Sequence, residues 1–361
     1  MKRRELLTVL SCSGLASLAG GLGAFVPAAP DESPQSGCLR RRRVRWLVGW
    51  TPGGGYDAYV RLAEPPLERA WGAEIVIENQ PGAGGRLAAL ALARARPDGR
   101  TLGILDGPGL LWWAGEGDRT APVLDRSFTL LARLARPQQV IAAGRRSGIR
   151  SLDDVVALAR RRPVVVGVTA PGSQNFLTSA VIMAVLAIEA RFVAGYPGSR
   201  EVLLGAMRGD FDLLSVAIET AVDQIASGDV IPLATVIPHG VATAEFSDVA
   251  ALSGPGGILE RRPDLVPDPE RARDLATSIH QYLSAGRLVA APAGLPDEIR
   301  RCLESGLRAV LTGGELRAAS ERAGRSLSIA FGEELHRDIS AARAAAARLK
   351  PVSDDAQRRV R

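Results

Sequence analysis

Histidine is nearly missing from this chain of 361 residues. His239, His280 and His336 are its full complement, and none stands at metal-ligand spacing or beside a nucleophile motif. Zinc hydrolysis and His-assisted acyl transfer therefore lack their usual parts. There is also no nucleophile elbow and no phosphate-binding Lys-Ser/Thr loop. Aromatic residues amount to 4%, too few for a base-stacking nucleic-acid surface. Cysteine is scarce: Cys12, Cys38 and Cys302 set no disulfide framework, and a Cys38–Cys302 pairing is left open. Beyond residue 28 no apolar run reaches the length of a membrane span. Nor is there an excess of one charge. Lys+Arg number 45 against 39 Asp+Glu, a formal +6, of which Lys2, Arg3, Arg4 and Glu5 carry +2. The remaining +4 defines no polyanionic partner.

What is present begins with an address. Lys2-Arg3-Arg4 forms a basic start, Leu6 to Phe25 is apolar and rich in small residues, and Val26-Pro27-Ala28 offers a cleavage site. Residues 1–28 are read as a signal peptide. Arg3-Arg4 followed by Glu5-Leu6-Leu7 resembles a twin-arginine signal. The protein is expected in the periplasm, as a monomer. Residues 29–43 read as a flexible leader ending in the basic run Arg40 to Arg43.

From there strands and helices alternate, the pattern of parallel sheets covered on both faces. Strands are expected at 44–49, 74–78, 101–105, 130–134, 139–142, 164–168, 191–194, 212–216, 231–236 and 288–291. Helices are expected at 58–70, 86–96, 151–161, 176–188, 200–207, 296–311, 314–323 and 332–348. Residues 238–285, rich in Pro, Gly and charge, give no clear pattern. The expected fold class is α/β with two domains, 44–145 plus 256–361 and 146–255, and 361 residues suffice for two cores.

Two glycine turns carry the most information. Trp50-Thr51-Pro52-Gly53-Gly54-Gly55-Tyr56-Asp57 and Asn79-Gln80-Pro81-Gly82-Ala83-Gly84-Gly85 each follow an apolar run and precede a helix. Such turns aim free N–H groups and a helix dipole at the open end of a sheet, which suits an anion. A third cluster, Thr169-Ala170-Pro171-Gly172-Ser173-Gln174-Asn175, lies in the second half of the chain. Turns from two domains facing each other would clamp a carboxylate. Asp57 fits either an N-cap or a ligand acceptor, and Trp50 fits the core or, at the strand's mouth, a wall of the site. Tyr56 reads equally as a lid on its helix or as a phenol donor in the cleft. Trp112-Trp113 fits a site wall, an exposed loop or the core. Gly53-Gly54-Gly55-Tyr56-Asp57-Ala58 also fits a dinucleotide fingerprint, with Glu78 at the end of the next strand. An NAD(P)-dependent oxidoreductase is therefore the rival from another class. It is disfavoured because Asp57 would compete with a pyrophosphate for the same N–H groups. A sensory receptor on the same fold is a third reading.

These motifs resemble those of the receptor proteins of tripartite tricarboxylate transporters, the Bug-type solute receptors. The matching segments are residues 52–57, 79–85, 97–99, 196–199, 209–212 and 291–296, within a span from about Arg45 to Ala347. The resemblance implies a type II periplasmic-binding fold: two domains, an interdomain cleft, a small carboxylate ligand, membrane transporter subunits as partners, and no catalysis, cofactor or metal. Carried over residue by residue, it implies ligand contacts from Trp50, Gly54, Gly55, Tyr56, Asp57, Ala83, Gly84, Thr169, Ala170, Gly172, Ser173, Gln174, Asn175, Tyr196 and Gly198. The chain departs from the family pattern at Gly55-Tyr56, where Ser-Thr is usual, and at Pro197, where Lys is usual. At Asn175 or Phe176 a histidine often stands. Citrate is accordingly not assumed as the ligand.

Overall fold

Short runs of Val, Ile, Leu and Ala bounded by glycine turns become fully buried strands, as doubly covered sheets require. The computed structural model describes residues 39–117, 120–237, 246 and 248–360. The expected signal peptide, most of the leader, Cys12, Cys38 and His239 lie outside these residues. Along the chain, β1 (Arg43–Val48) leads to α1 (Gly55–Trp71), β2 (Glu74–Asn79), α2 (Arg86–Ala93), β3 (Thr101–Asp106), α3 (Gly107–Gly115), α4 (Leu124–Ser127) and β4 (Phe128–Ala135). There follow β5 (Gln139–Gly144), α5 (Leu152–Ala159), β6 (Val164–Gly167), α6 (Gln174–Val185), β7 (Ala190–Val193), α7 (Ser199–Arg208), β8 (Leu213–Ala217), α8 (Ile218–Ala226) and β9 (Val230–Val236). The last part holds α9 (Ile258–Arg261), α10 (Pro269–Leu283), β10 (Arg287–Pro292), α11 (Asp297–Leu311), α12 (Gly314–Arg322) and α13 (Gly332–Gln357).

Two five-stranded sheets result, ordered β2-β1-β3-β10-β4 and β7-β6-β8-β5-β9. In the first, β1 runs parallel to β2 and β3, while β10 is antiparallel to β3 and β4. The second repeats the plan, with β6 parallel to β7 and β8 and β5 antiparallel to β8 and β9. β1, β2, β6 and β7 end in the glycine turns, at the strand ends where ligand crevices form in open α/β sheets.

The lobe boundary differs from the sequence expectation. β5, expected at the end of the first domain, pairs inside the second sheet, so the first crossover precedes Gln139 instead of lying near residue 145. The return segment is not confined to the first lobe either. α13 ends beside β7, where Phe192 donates its N–H to the Arg359 carbonyl (3.0 Å). At its other end Arg133 of β4, 1% exposed, pairs with Asp338 and donates to the Ser328 and Ser284 carbonyls. One apolar core therefore runs from Leu105 and Leu110 through Phe176, Ile279 and Tyr282 to Leu335 and Leu349, continuous across both lobes. Separate cores fill the far side of each sheet. Among the described residues no helix is long and apolar enough to cross a membrane. Cys302 is disulfide-bonded; its partner lies outside the described residues.

Candidate functional site

The first two turns interlock because they lack side chains. A Cβ on Gly49 would lie 2.6 Å from the Gly85 Cα, and one on Gly85 (φ 89°) would lie 2.7 Å from the Trp50 ring. Backbone thus packs on backbone, with the Trp50 indole against Gly85. Tyr56 stacks on that indole, with centroids 3.5 Å apart and planes 8° apart. Beneath them Asp57 is fully buried. Its carboxylate accepts from the Gly53 N–H (2.8 Å), Arg61 Nε (2.7 Å) and Asn79 Nδ2 (2.9 Å). Asn79 Nδ2 also donates to the Trp50 carbonyl. Burial alone would raise the Asp57 pKa, but the bonds from Arg61, Gly53 and Asn79 outweigh it and hold the group below its usual value. Asp57 is thus a post tying β1, α1 and β2 together.

In the second lobe Ser173 caps α6, accepting from the Phe176 N–H. Asn175 Oδ1 gathers the Thr169 N–H, the Thr169 hydroxyl and the Ser173 hydroxyl. Gln174 reaches across to the first lobe, where Nε2 donates to the Tyr56 hydroxyl (2.8 Å) and to Asp106 Oδ1 (2.6 Å). Asp106, at the end of β3, is buried. Desolvation raises its pKa against the opposing bonds from Gln174, the Gly109 N–H and Tyr56. A second bridge joins Arg287 of β10 to Glu219 of α8 (2.7 Å), with both side chains under 10% exposed. The Arg287 guanidinium lies over the Tyr56 and Tyr59 rings at 5.2 and 4.7 Å.

These elements enclose a cavity of about 340 Å³ between the lobes. The N-terminal ends of α1, α6, α7 and α8 all open onto it. Of the residues singled out in the sequence, Trp50, Gly54, Gly55, Tyr56, Gly84, Thr169, Ser173, Gln174, Asn175 and Gly198 line it.

Five do not. Asp57 turns inward to its three donors, and Ala83 is exposed on the outer side of its turn. Ala170 offers only its carbonyl, to Ser173. Gly172 is pressed against Trp112, where a Cβ would fall 1.9 Å from the ring. Tyr196 packs edge-on against Phe211 and leans toward Asp210. Trp112 itself serves the α3–α13 contact, donating to Ser353 Oγ (2.7 Å). The sequence reading missed Asp106, Glu219, Asp223, Arg287 and Arg325, which also line the cavity. Asp106 had a local signal, since it ends a parallel strand just before a Gly-Pro-Gly helix start. Arg287 had one too, a charge opening the apolar run Leu-Val-Ala-Ala. Nothing local linked it to Glu219.

The pattern of residues 60–258, more than half of the chain, matches the tripartite tricarboxylate transporter family receptor. The chain belongs to that family. Among relatives of this receptor, a UPF0065 protein of Pseudomonas sp. is 24% identical over 54% of the chain and 58% of the relative. Another from Cupriavidus necator is 27% identical over 49% and 52%. The chain thus spans about half the length of the curated relatives it matches. Among solved structures, a Rhodopseudomonas palustris protein with adipate is 23% identical (TM-score 0.68) and covers 86% of this chain and 97% of its own. MatC of the same organism, with bound malate, is 20% identical (TM-score 0.67; 86% and 99%), and periplasmic binding protein BugD is 17% identical (0.66; 88% and 97%). These likenesses establish the two-domain periplasmic-binding fold for this receptor.

Proposed function

We propose that this receptor binds a small carboxylate in the interlobe cavity outside the cytoplasm and delivers it to a tripartite tricarboxylate-type transporter. The observation that carries this reading is the convergence of four helix N-termini, from both lobes, on one cavity. Each N-terminus offers unpaired N–H groups and the positive end of a helix dipole, so together they favour an anion without any catalytic group. The adipate and malate held by the two R. palustris proteins support the same chemistry, and the cavity volume suits a ligand of that size. The expected export segment, residues 1–28, would place the receptor in the periplasm. It would act as a monomer that engages membrane subunits when closed.

Gln174 and the Arg287–Glu219 bridge supply the contacts that favour the closed arrangement. The dinucleotide reading is disfavoured by Asp57, which already takes the Gly53 N–H. Glu78, its proposed ribose partner, is held by Arg45 through two bonds of 2.7 and 2.8 Å. The test is native mass spectrometry of freshly purified protein followed by thermal-shift screening with C3–C8 organic acids. The reading expects a rise of several degrees at millimolar acid, which is what mass action gives a micromolar binder. A rise with NADH but with no acid would reverse it.

A further inference from the structure

A receptor for a dianion should present a basic cleft, and this one does not. Three guanidinium groups, Arg200, Arg287 and Arg325, line the cavity. Against them stand four carboxylates: Asp106, Glu201, Glu219 and Asp223. The carboxylates also have an arrangement. α8 presents Glu219, Thr220, Asp223 and Gln224 to the cavity, a spacing that puts all four on one helical face. Glu219 holds Arg287 through Oε1. The exposed carboxylate of Asp223 makes no hydrogen bond or ion pair among the described residues.

Arg287 gives a second, independent observation. It is 2% exposed, clamped over the rings of Tyr56 and Tyr59, and its Nε is buried with no hydrogen-bond partner. A guanidinium carries five donors in a fixed fork, and Glu219 takes only Nη2. The Gly55 turn is its neighbour, since a Cβ there would lie 3.7 Å from Arg287 Nη2. Arg287 and the Gly55 turn of the first lobe therefore sit beside the α8 carboxylates Glu219 and Asp223 of the second.

We infer that the ligand is an amino carboxylate, its carboxylate held by Arg287 and the α1 turn and its ammonium held by Glu219 and Asp223 of α8. This rests on the carboxylate-receptor reading above and narrows it. A second ligand carboxylate would face the like charges of α8, whereas an ammonium there completes charge-assisted bonds to both. The zwitterion also spans the lobes, so it draws them together by contacts that neither lobe makes alone.

Isothermal titration of the purified protein with a five-carbon set decides it: pentanoate, glutarate, 2-aminopentanoate and 5-aminopentanoate, with the same sets at four and six carbons. An amino carboxylate should bind at least about tenfold tighter than the unsubstituted acid and the diacid of its length. Asp223→Asn, at an exposed position that spares the core, should shrink that preference to about threefold or less, and Glu219→Gln should do the same. A diacid or plain acid as the tightest ligand, or an amine preference unchanged in both variants, would overturn the inference and leave the receptor reading standing. If no acid of any class binds, both fall.

Discussion

Replacing Asp57 by Ala should unfold this receptor more easily while touching no ligand directly. The side chain has no exposed surface and accepts three hydrogen bonds, from Gly53, Arg61 and Asn79. A hydrogen bond to a charged group contributes roughly 1.5–3 kcal/mol. Arg61 is half-exposed, so its share is cut to about 1 kcal/mol or less. Asn79 retains the Trp50 carbonyl, and Gly53 can turn to water. The net loss should be about 2–4 kcal/mol, or a fall in Tm on the order of 3–5 °C for a chain of this size. Circular dichroism melts without ligand would measure it, with titration calorimetry alongside. Affinity should drop only secondarily, as the Gly53 turn loses its post. A variant that melts like wild type but no longer binds would refute this reasoning and put Asp57 on the ligand.

Because the Asp57 and Asp338 pKa values are lowered in the fold, their stabilisation is complete above about pH 4 and vanishes as pH falls through the folded values. Asp57→Asn should accordingly flatten the acid limb of a stability–pH curve. Gly172→Ala forces a Cβ to within 1.9 Å of the Trp112 ring at a φ of +77°; a loss of more than about 2 kcal/mol is expected by urea unfolding. Arg287→Ala leaves Glu219 buried without its partner and should cost about 3–5 kcal/mol, most of it recovered by adding Glu219→Leu. Gln174→Ala removes both of its bonds to the first lobe and should weaken binding about tenfold with little change in Tm.

Much of this architecture was legible because its causes are local. The ten strands among the described residues announced themselves as apolar runs between turn residues, and the glycine turns have their expected place at the strand mouths. What the residue string concealed depends on distant partners. α3 has no amphipathic period, since it is buried on most sides. β5 looks like any apolar strand, and only its pairing with β8 assigns it to the second lobe. Asp57 could face ligand or core by residue type alone; the amide of Asn79, 22 residues away, decides it. Arg287 and Glu219 are 68 residues apart, beyond any spacing rule. α10 is the exception, a pattern that was present but masked by its surroundings. Asp268 caps it, Pro269 opens it, and Ala272, Leu275, Ala276, Ile279 and Leu283 form its buried stripe.

The central claim is that the carboxylate binds in the interlobe cavity, among the glycine turns that line it. Selective 15N-glycine labelling tests it most directly, because the chain holds 39 glycines and only a few line the cavity. Titration with the tightest carboxylate should shift the assigned amides of Gly53, Gly54, Gly55, Gly84 and Gly198 and leave Gly115 and Gly324 in place. Saturating ligand that moves none of those five would contradict the account.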